Sequence, residues 1–254
     1  KAQRTFKVRL SRINSNVSVQ DEKVNMTQQI LRLMEYIDKL PVTVMATERI
    51  EADDAIAYIA KQVLPNSQHF IMSTDTDFLQ LIDERIQVWS PTAKKFYFRQ
   101  DMQERFKLKP ENYILYKSLL GDKSDNIPGI KGLGQKTLEK RLPILFGSNT
   151  ITMDNVIEYA EANKSEAKVL ADVAASRKML DLNYKLMQLE EVDIHGGAKE
   201  SIRNIVERPM QRLDKTEFLK YTLEDQMTIV KNPEFWLRDS FNHLDVMSSL
   251  EQQK

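Results

Sequence analysis

The apolar run Phe70-Ile71-Met72, followed at once by Ser73-Thr74-Asp75-Thr76-Asp77 and then by Phe78-Leu79-Gln80-Leu81, constrains this chain more than any other stretch. Strand formers that end in small polar residues and two aspartates read as a buried strand delivering carboxylates at its C-terminal edge. The simpler reading of the same residues is a polar turn, with Asp75 and Asp77 capping a helix over 77–82. Three further carboxylates are crowded into four residues upstream, Glu51, Asp53 and Asp54, at the start of a helix predicted over 48–60. They either complement the positive end of that helix or surround a cation, because adjacent anions repel unless one lies among them.

The chemistry open to these groups is narrowed by what the chain lacks. It contains no cysteine and three histidines, so a metal would have to be held by oxygen or imidazole, and carboxylates are the first candidates. His69, His195 and His243 are scattered and are assigned to no metal. With 254 residues and 41% hydrophobic content the chain can bury one sizeable core and a subdomain, and it has no run as long as a membrane span. A cytoplasmic protein with no membrane contact is expected. The 37 basic and 37 acidic residues cancel overall but are segregated. Lys1, Arg4, Lys7, Arg9 and Arg12 precede the first acid, and Lys131, Lys136, Lys140 and Arg141 form a second cluster. Each is either a solvated face or a contact for nucleic acid.

Periodicity organises the rest. Met26, Ile30, Leu33, Met34 and Ile37 predict a helix over 25–40 closed by Pro41, and Val42-Thr43-Val44-Met45 predicts a strand. Strands at 68–72 and 86–89, then a hairpin or edge strand at 96–98, complete an alternation that argues for a parallel sheet. A helix over 110–120 ends at Gly121-Asp122-Lys123-Ser124-Asp125-Asn126. Ile127-Pro128-Gly129-Ile130-Lys131-Gly132-Leu133-Gly134 then opens a basic helix through Gln135, Lys136 and Lys140. This is the pattern of a helix-hairpin-helix, in which glycines let backbone amides approach a phosphate and lysines neutralise its neighbours, without reading base sequence. Its alternative is a simple turn. Helices are expected around 152–162, 166–186 and 199–206. Aromatic residues at 218–221 and 235–237 are assigned to a core, and fraying is expected from Ser240 onward.

The order Glu51-Ala52-Asp53-Asp54, Ser73 to Asp77, Gly121 to Asn126 and then the hairpin resembles the flap endonuclease and 5′-3′ exonuclease family, including phage RNase H and the 5′ nuclease of bacterial DNA polymerase I. The resemblance covers 42–145 and extends more weakly to Leu189. It implies an α/β fold: a PIN-like parallel sheet flanked by helices, with a helix-hairpin-helix (H3TH) α-helical subdomain. The corresponding divisions are 1–40 as remnant of the helical arch and following helix, 41–109 as nuclease core, 110–190 as DNA-binding region and 191–254 as C-terminal helices. It further implies that Glu51, Asp53, Asp54, Asp75, Asp77, Asp122 and Asp125 hold two Mg²⁺ ions, replaceable by Mn²⁺. Such ions, about 4 Å apart, activate water and stabilise a leaving oxygen. Gly129, Lys131, Gly132, Gly134, Gln135, Lys136 and Lys140 would grip duplex DNA, with K⁺ at the hairpin, and Lys7 and Arg12 would reach the scissile phosphate.

The chain departs from that pattern at its start. The family's first strand carries an aspartate ligand, with a second aspartate ahead of the arch, and neither is present. The arch residues Phe6-Lys7-Val8-Arg9 are shifted by one from the family's Tyr-Lys-x-x-Arg. The expectation is therefore an N-terminally incomplete nuclease, either monomeric or completed by an N-terminal fragment, acting on DNA with a 5′ flap, a nick or an RNA/DNA hybrid. A polymerase clamp or single-strand-binding protein is a further candidate partner. The competing expectation is a structure-specific DNA-binding module that does not cut.

Overall fold

A computed structural model describes residues 19–228 and 230–251. In chain order the elements begin with α1 (Val19–Ile37), α2 (Ala52–Tyr58) continued by a π-helical turn (Ile59–Val63), and β1 (His69–Met72). A 3₁₀ helix (Thr76–Leu81) leads to β2 (Ile86–Ser90), β3 (Lys95–Tyr97), α3 (Arg99–Phe106) and α4 (Pro110–Leu120). The short strands β4 (Gly121–Asp122) and β5 (Ile127–Pro128) precede α5 (Gln135–Arg141) and a second 3₁₀ turn (Pro143–Phe146). The remainder is helical: α6 (Met153–Ala162), α7 (Lys168–Ala175), α8 (Arg177–Met187), α9 (Gly196–Val206), α10 (Lys215–Glu224) and α11 (Pro233–Glu251). None of the helices among the described residues is long and apolar enough to cross a membrane.

The described residues divide into two compact units, one drawn from 19–46 with 200–251 and the other formed by 47–199. In the second, β1 pairs parallel with β2, and β2 pairs antiparallel with β3, so the sheet is mixed. Its inner face carries Ile71, Ile86, Val88 and Tyr97, all buried, and the alternate residues Phe70, Met72 and Phe96 point away from it and are exposed. Tyr58, Leu79, Met102, Leu115 and Leu119 fill the core of this unit. Fully burying a side chain of that size contributes roughly 1.5–3 kcal/mol, and the sheet lies where five do so together.

Two buried amides tie this core together. Gln80, on the 3₁₀ helix, donates to the Asp77 and Met187 carbonyls and accepts from the Leu189 amide. Asn183 of α8 donates to the Ser118 carbonyl at 3.0 Å and the Pro128 carbonyl at 2.7 Å, fastening α8 to the end of α4 and to β5. Both are the paired buried polar groups that a core tolerates.

In the first unit, Tyr36, Leu40, Phe218 and Leu237 are buried together, with Trp236, Tyr221 and Val42 packed against them. Tyr36 meets Phe218 and Tyr221 edge to face. The aromatic segments assigned to a core are thus found in one, apart from Phe235, which is half exposed.

Three expectations are corrected. Residues 42–45 form no strand: Val42 belongs to the aromatic cluster and Val44 is exposed, and no neighbouring strand offers a ladder among the described residues. The helix expected over 166–186 is two helices, broken where Ser176 turns its hydroxyl back onto the Asp172 carbonyl. Beyond Ser240 the chain continues as α11, anchored by Ser248, whose hydroxyl donates to the Met210 carbonyl. The periodic residues Met26, Ile30, Leu33 and Met34 of α1 are exposed, and the C-terminal end of that helix is the part that packs.

Candidate metal centre and nucleic-acid interface

The carboxylates reach the site from three separate elements. Glu51 is the N-cap of α2 in extended conformation, with Asp53 and Asp54 in the first turn, half-buried. Asp75 lies just past the C-terminal edge of β1 and caps the 3₁₀ helix, its carboxylate accepting from the Asp77 amide at 2.9 Å. Asp75 thus both caps the helix and stands at the strand edge, but the strand is not the buried one expected, since in β1 Ile71 is buried and Phe70 and Met72 are exposed. Asp122 follows α4 across the β4–β5 turn, and its carboxylate accepts from the Ser124 amide and, in a short contact, from the Ser124 hydroxyl. Asp125 is half-buried in the same turn.

Asp77 and Asp122 are brought together by a residue the sequence reading did not single out. The Lys117 ammonium lies 2.8 Å from Asp77 Oδ1 and 2.7 Å from Asp122 Oδ2, with side chains 12%, 15% and 18% exposed respectively. Asp77 Oδ1 is itself buried and accepts no well-directed hydrogen bond, so its contact with Lys117 is ionic rather than directional. The signal was available: Lys117 is the lone cation in the apolar helix Tyr113-Ile114-Leu115-Tyr116-Lys117-Ser118-Leu119-Leu120, five residues ahead of Asp122.

The electrostatics follow from this arrangement. Burial raises the Asp53 carboxyl, and the neighbouring Glu51 and Asp75 carboxylates push it further. Burial likewise raises Asp77, outweighing Lys117, with Asp75 and Asp122 adding repulsion. Burial also opposes ionisation of Asp122, but Lys117 and Ser124 together win and hold it down at about 2. Lys117 is pulled down by burial and carried well above its ordinary value by the two carboxylates. Repulsion thus links Glu51, Asp53, Asp75, Asp77 and Asp122 into one anionic field with one ammonium inside it.

Among the described residues no three His, Asp or Glu side chains converge as a ready cation cage. The donors are nevertheless hard oxygens, one of them the buried Asp77 Oδ1 that meets only the Lys117 ammonium, and carboxylate oxygen is the donor type suited to a divalent cation. Lys7 and Arg12 lie outside the described residues.

Beside this field stands the hairpin. Gly121 adopts φ +72°, and a Cβ there would meet the Gly129 nitrogen at 2.3 Å. A Cβ on Gly129 would meet the Leu120 carbonyl oxygen at 1.9 Å. Gly129 is therefore a packing glycine that lets the hairpin close onto α4, where the Ile130 amide donates to the Leu119 carbonyl. Gly132, at φ +80°, and Gly134, the N-cap of α5, face open space. Ile130, Leu133 and Leu138 anchor the hairpin inside, while Lys131, Gln135, Lys136 and Lys140 are exposed. Gln135 donates to Glu139, which also pairs with Lys107 at 3.0 Å. What results is a rigid turn whose open side carries glycine backbone and lysine.

Residues 1–107 match the N-terminal resolvase-like domain of 5′-3′ exonucleases, and residues 108–207 match their C-terminal SAM fold. The chain belongs to the 5′-3′ exonuclease family. Members are phosphodiester hydrolases, and the carboxylates and hairpin fall across both matched domains. The chain is 29% identical over 189 residues to the thermostable DNA polymerase I of Thermus thermophilus, covering 71% of this chain and 22% of that protein. It is 29% identical to a 5′-3′ exonuclease of Aquifex aeolicus over 76% of this chain and 65% of the relative. Flap endonuclease Xni of Shewanella sediminis is 33% identical over 55% of this chain and 52% of its own length. This 5′-3′ exonuclease family chain thus spans under two thirds of each of these relatives. In fold it is similar to the zinc-bound T5 5′-exonuclease, with a TM-score of 0.60 at 21% identity over 76% of this chain and 72% of the other. A bacteriophage T5 flap endonuclease crystallised with DNA and metal ions gives a TM-score of 0.55 at 23% identity, over 81% of this chain and 73% of that one.

Proposed function

We propose that this chain is a divalent-metal-dependent 5′ nuclease that hydrolyses phosphodiesters in branched, nicked or primer-bearing DNA. The observation that carries the reading is the juxtaposition, within one unit, of an anionic field from three elements and an exposed glycine-lysine hairpin built on the same helix, α4. Glu51, Asp53, Asp54, Asp75, Asp77, Asp122 and Asp125 are the residues assigned to hold the metal, a pair of Mg²⁺ ions that Mn²⁺ can replace. When bound, such ions supply Lewis acidity to a phosphodiester and its attacking water.

The protein's own residues do the rest. The Asp75 backbone, held by Ser73 and the 3₁₀ cap, fixes one carboxylate at the sheet edge before any ligand arrives. Lys117 holds the Asp122 carboxyl down and opposes the burial that raises Asp77, and its ammonium is a fixed positive charge beside which a phosphate can sit. At the hairpin, Gly132 and Gly134 leave room for backbone amides to meet a phosphate, and Lys131, Lys136 and Lys140 neutralise the neighbouring ones. K⁺ at the hairpin belongs to the same proposal.

One observation favours a second reading, a structure-specific DNA-binding protein that does not cut: Lys117 already neutralises part of the anionic field, and no carboxylate triplet is converged. The two separate by metal titration. Mn²⁺ titrated into the protein and followed by its electron paramagnetic resonance signal loses free-ion intensity in the wild type and much less in Asp75→Asn. Equal loss of signal in both proteins would remove Asp75 from the site, and no loss in either would favour the binding module.

A further inference from the structure

Arg105 on α3 opens into a cleft of about 300 Å³ at the C-terminal edge of β1, lined by Ser73, Thr74, Asp75, Thr76, Ser90, Thr92 and Tyr97 as well. That size lies at the lower end of small-ligand clefts, roughly 300–1,000 Å³. Leu79, Val88 and Ala93 line it as well, so hydroxyl groups alternate with apolar side chains, and the charged groups are the Arg105 guanidinium and the Asp75 carboxylate.

Arg105 is held rather than neutralised. Its guanidinium lies 5.3 Å from the centroid of the Tyr97 ring and 4.9 Å from that of Phe106, and it donates to the Tyr97 hydroxyl in a short contact. Tyr97 is fixed in turn, buried on β3 and in register with Val88. Among the described residues no carboxylate is ion-paired with Arg105. Of the acids on its own helix, Asp101 is committed to Lys95 and to the Phe98 amide, and Glu104 accepts from Gln100. A stacked, tethered guanidinium keeps its remaining donors free in a set plane, which is the geometry that recognises phosphate oxygens.

We infer that Arg105, with the Ser90 and Thr92 hydroxyls, forms a phosphate-binding subsite that holds the backbone phosphate next to the one cut, registering the DNA strand against Asp75. This rests on the nuclease reading, since it takes the nucleic-acid backbone as the ligand and Asp75 as part of the reacting centre. Arg105 acts by positioning. The hydroxyls donate to further phosphate oxygens without adding charge, so the cleft accepts any base sequence.

The test uses 5′-flap DNAs in which single phosphates around the junction are replaced by neutral methylphosphonates, with affinity measured by fluorescence anisotropy in EDTA and in Ca²⁺. In the wild type, neutralising one particular phosphate weakens binding by about tenfold, the loss of one charge-assisted contact. Arg105→Gln, which keeps a donor for the Tyr97 hydroxyl, binds the all-phosphate DNA about tenfold more weakly and loses its sensitivity at that one position alone. Arg105→Lys restores part of the affinity. Equal affinity of Arg105→Gln and wild type, or an unchanged position profile in the variant, overturns the subsite while leaving the nuclease reading intact. Failure of the wild type to bind flap DNA at all overturns both.

Discussion

Gly121 and Gly129 face one another across the closure of the hairpin, and each is there because a side chain has no room. A methyl group on Gly129 would enter the Leu120 carbonyl, so Gly129→Ala is expected to destabilise the protein by about 3 kcal/mol. Gly134, extended and facing open space, should lose less than about 0.5 kcal/mol on the same substitution. Thermal unfolding of the two variants measures the contrast, and equal losses would contradict the division between packing and open glycines. Lys117 is the other residue whose surroundings fix its role. Removing it leaves two buried carboxylates facing each other, so Lys117→Ala should cost about 3 kcal/mol in EDTA. Added Mg²⁺ should return part of that loss, because a dication can stand in for the ammonium. A loss that Mg²⁺ does not alter would show that the carboxylates do not share a cation.

At the scale of elements, Asn183 couples α8 to α4 and β5 through two buried hydrogen bonds, and its loss strands both carbonyls. Asn183→Ala is expected to lower stability by about 2–4 kcal/mol and to loosen the hairpin, which hydrogen exchange at the Ile130 amide would report. In the other unit, Arg32 of α1 reaches Asp225 and Glu224 at the end of α10, pairs with Glu35 and lies 4.2 Å from the centroid of the Tyr221 ring. Arg32, with the Tyr36 hydroxyl, outweighs burial and holds the Asp225 carboxyl below the usual carboxylate range. A depressed folded value means the contribution is complete at neutral pH and is lost as pH falls through that lowered value. Unfolding followed across pH 2–7 should show a steeper acid loss in the wild type than in Asp225→Asn, and parallel curves would contradict the linkage.

Elements were legible in the sequence where a local pattern was also the deciding force. The α4 helix starts at Pro110 and stops at Gly121, and the β1 and β2 strands are bounded by turn residues, so their limits were readable. Residues 42–45 were not, because a β-branched run becomes a strand only if a neighbour pairs with it, and Val42 finds aromatic packing instead. Among site residues, the carboxylates and the open hairpin glycines announced themselves by crowding and spacing. Lys117 and Arg105 did not: each reads as an ordinary helix cation, and what distinguishes them, a pair of acids outside the helix and a tyrosine on β3, is brought near by the fold.

For the molecule as a whole, net neutrality conceals the arrangement on which the account depends, an anionic centre and a cationic hairpin on one scaffold. Repulsion of a phosphate by the centre alone would make DNA binding unfavourable, and the lysines with a bound dication reverse that sign. Lys131→Ala and Lys136→Ala should each reduce the slope of binding against salt by about one, and an unchanged slope would take the hairpin out of the interface. The most direct measurement is cleavage of an end-labelled 5′-flap duplex by this chain, with Mg²⁺ and with EDTA, for the wild type and Asp75→Asn. The account predicts cutting near the junction that requires Mg²⁺ and disappears in Asp75→Asn while flap binding persists. Tight flap binding by the wild type with no Mg²⁺-dependent cutting would contradict it.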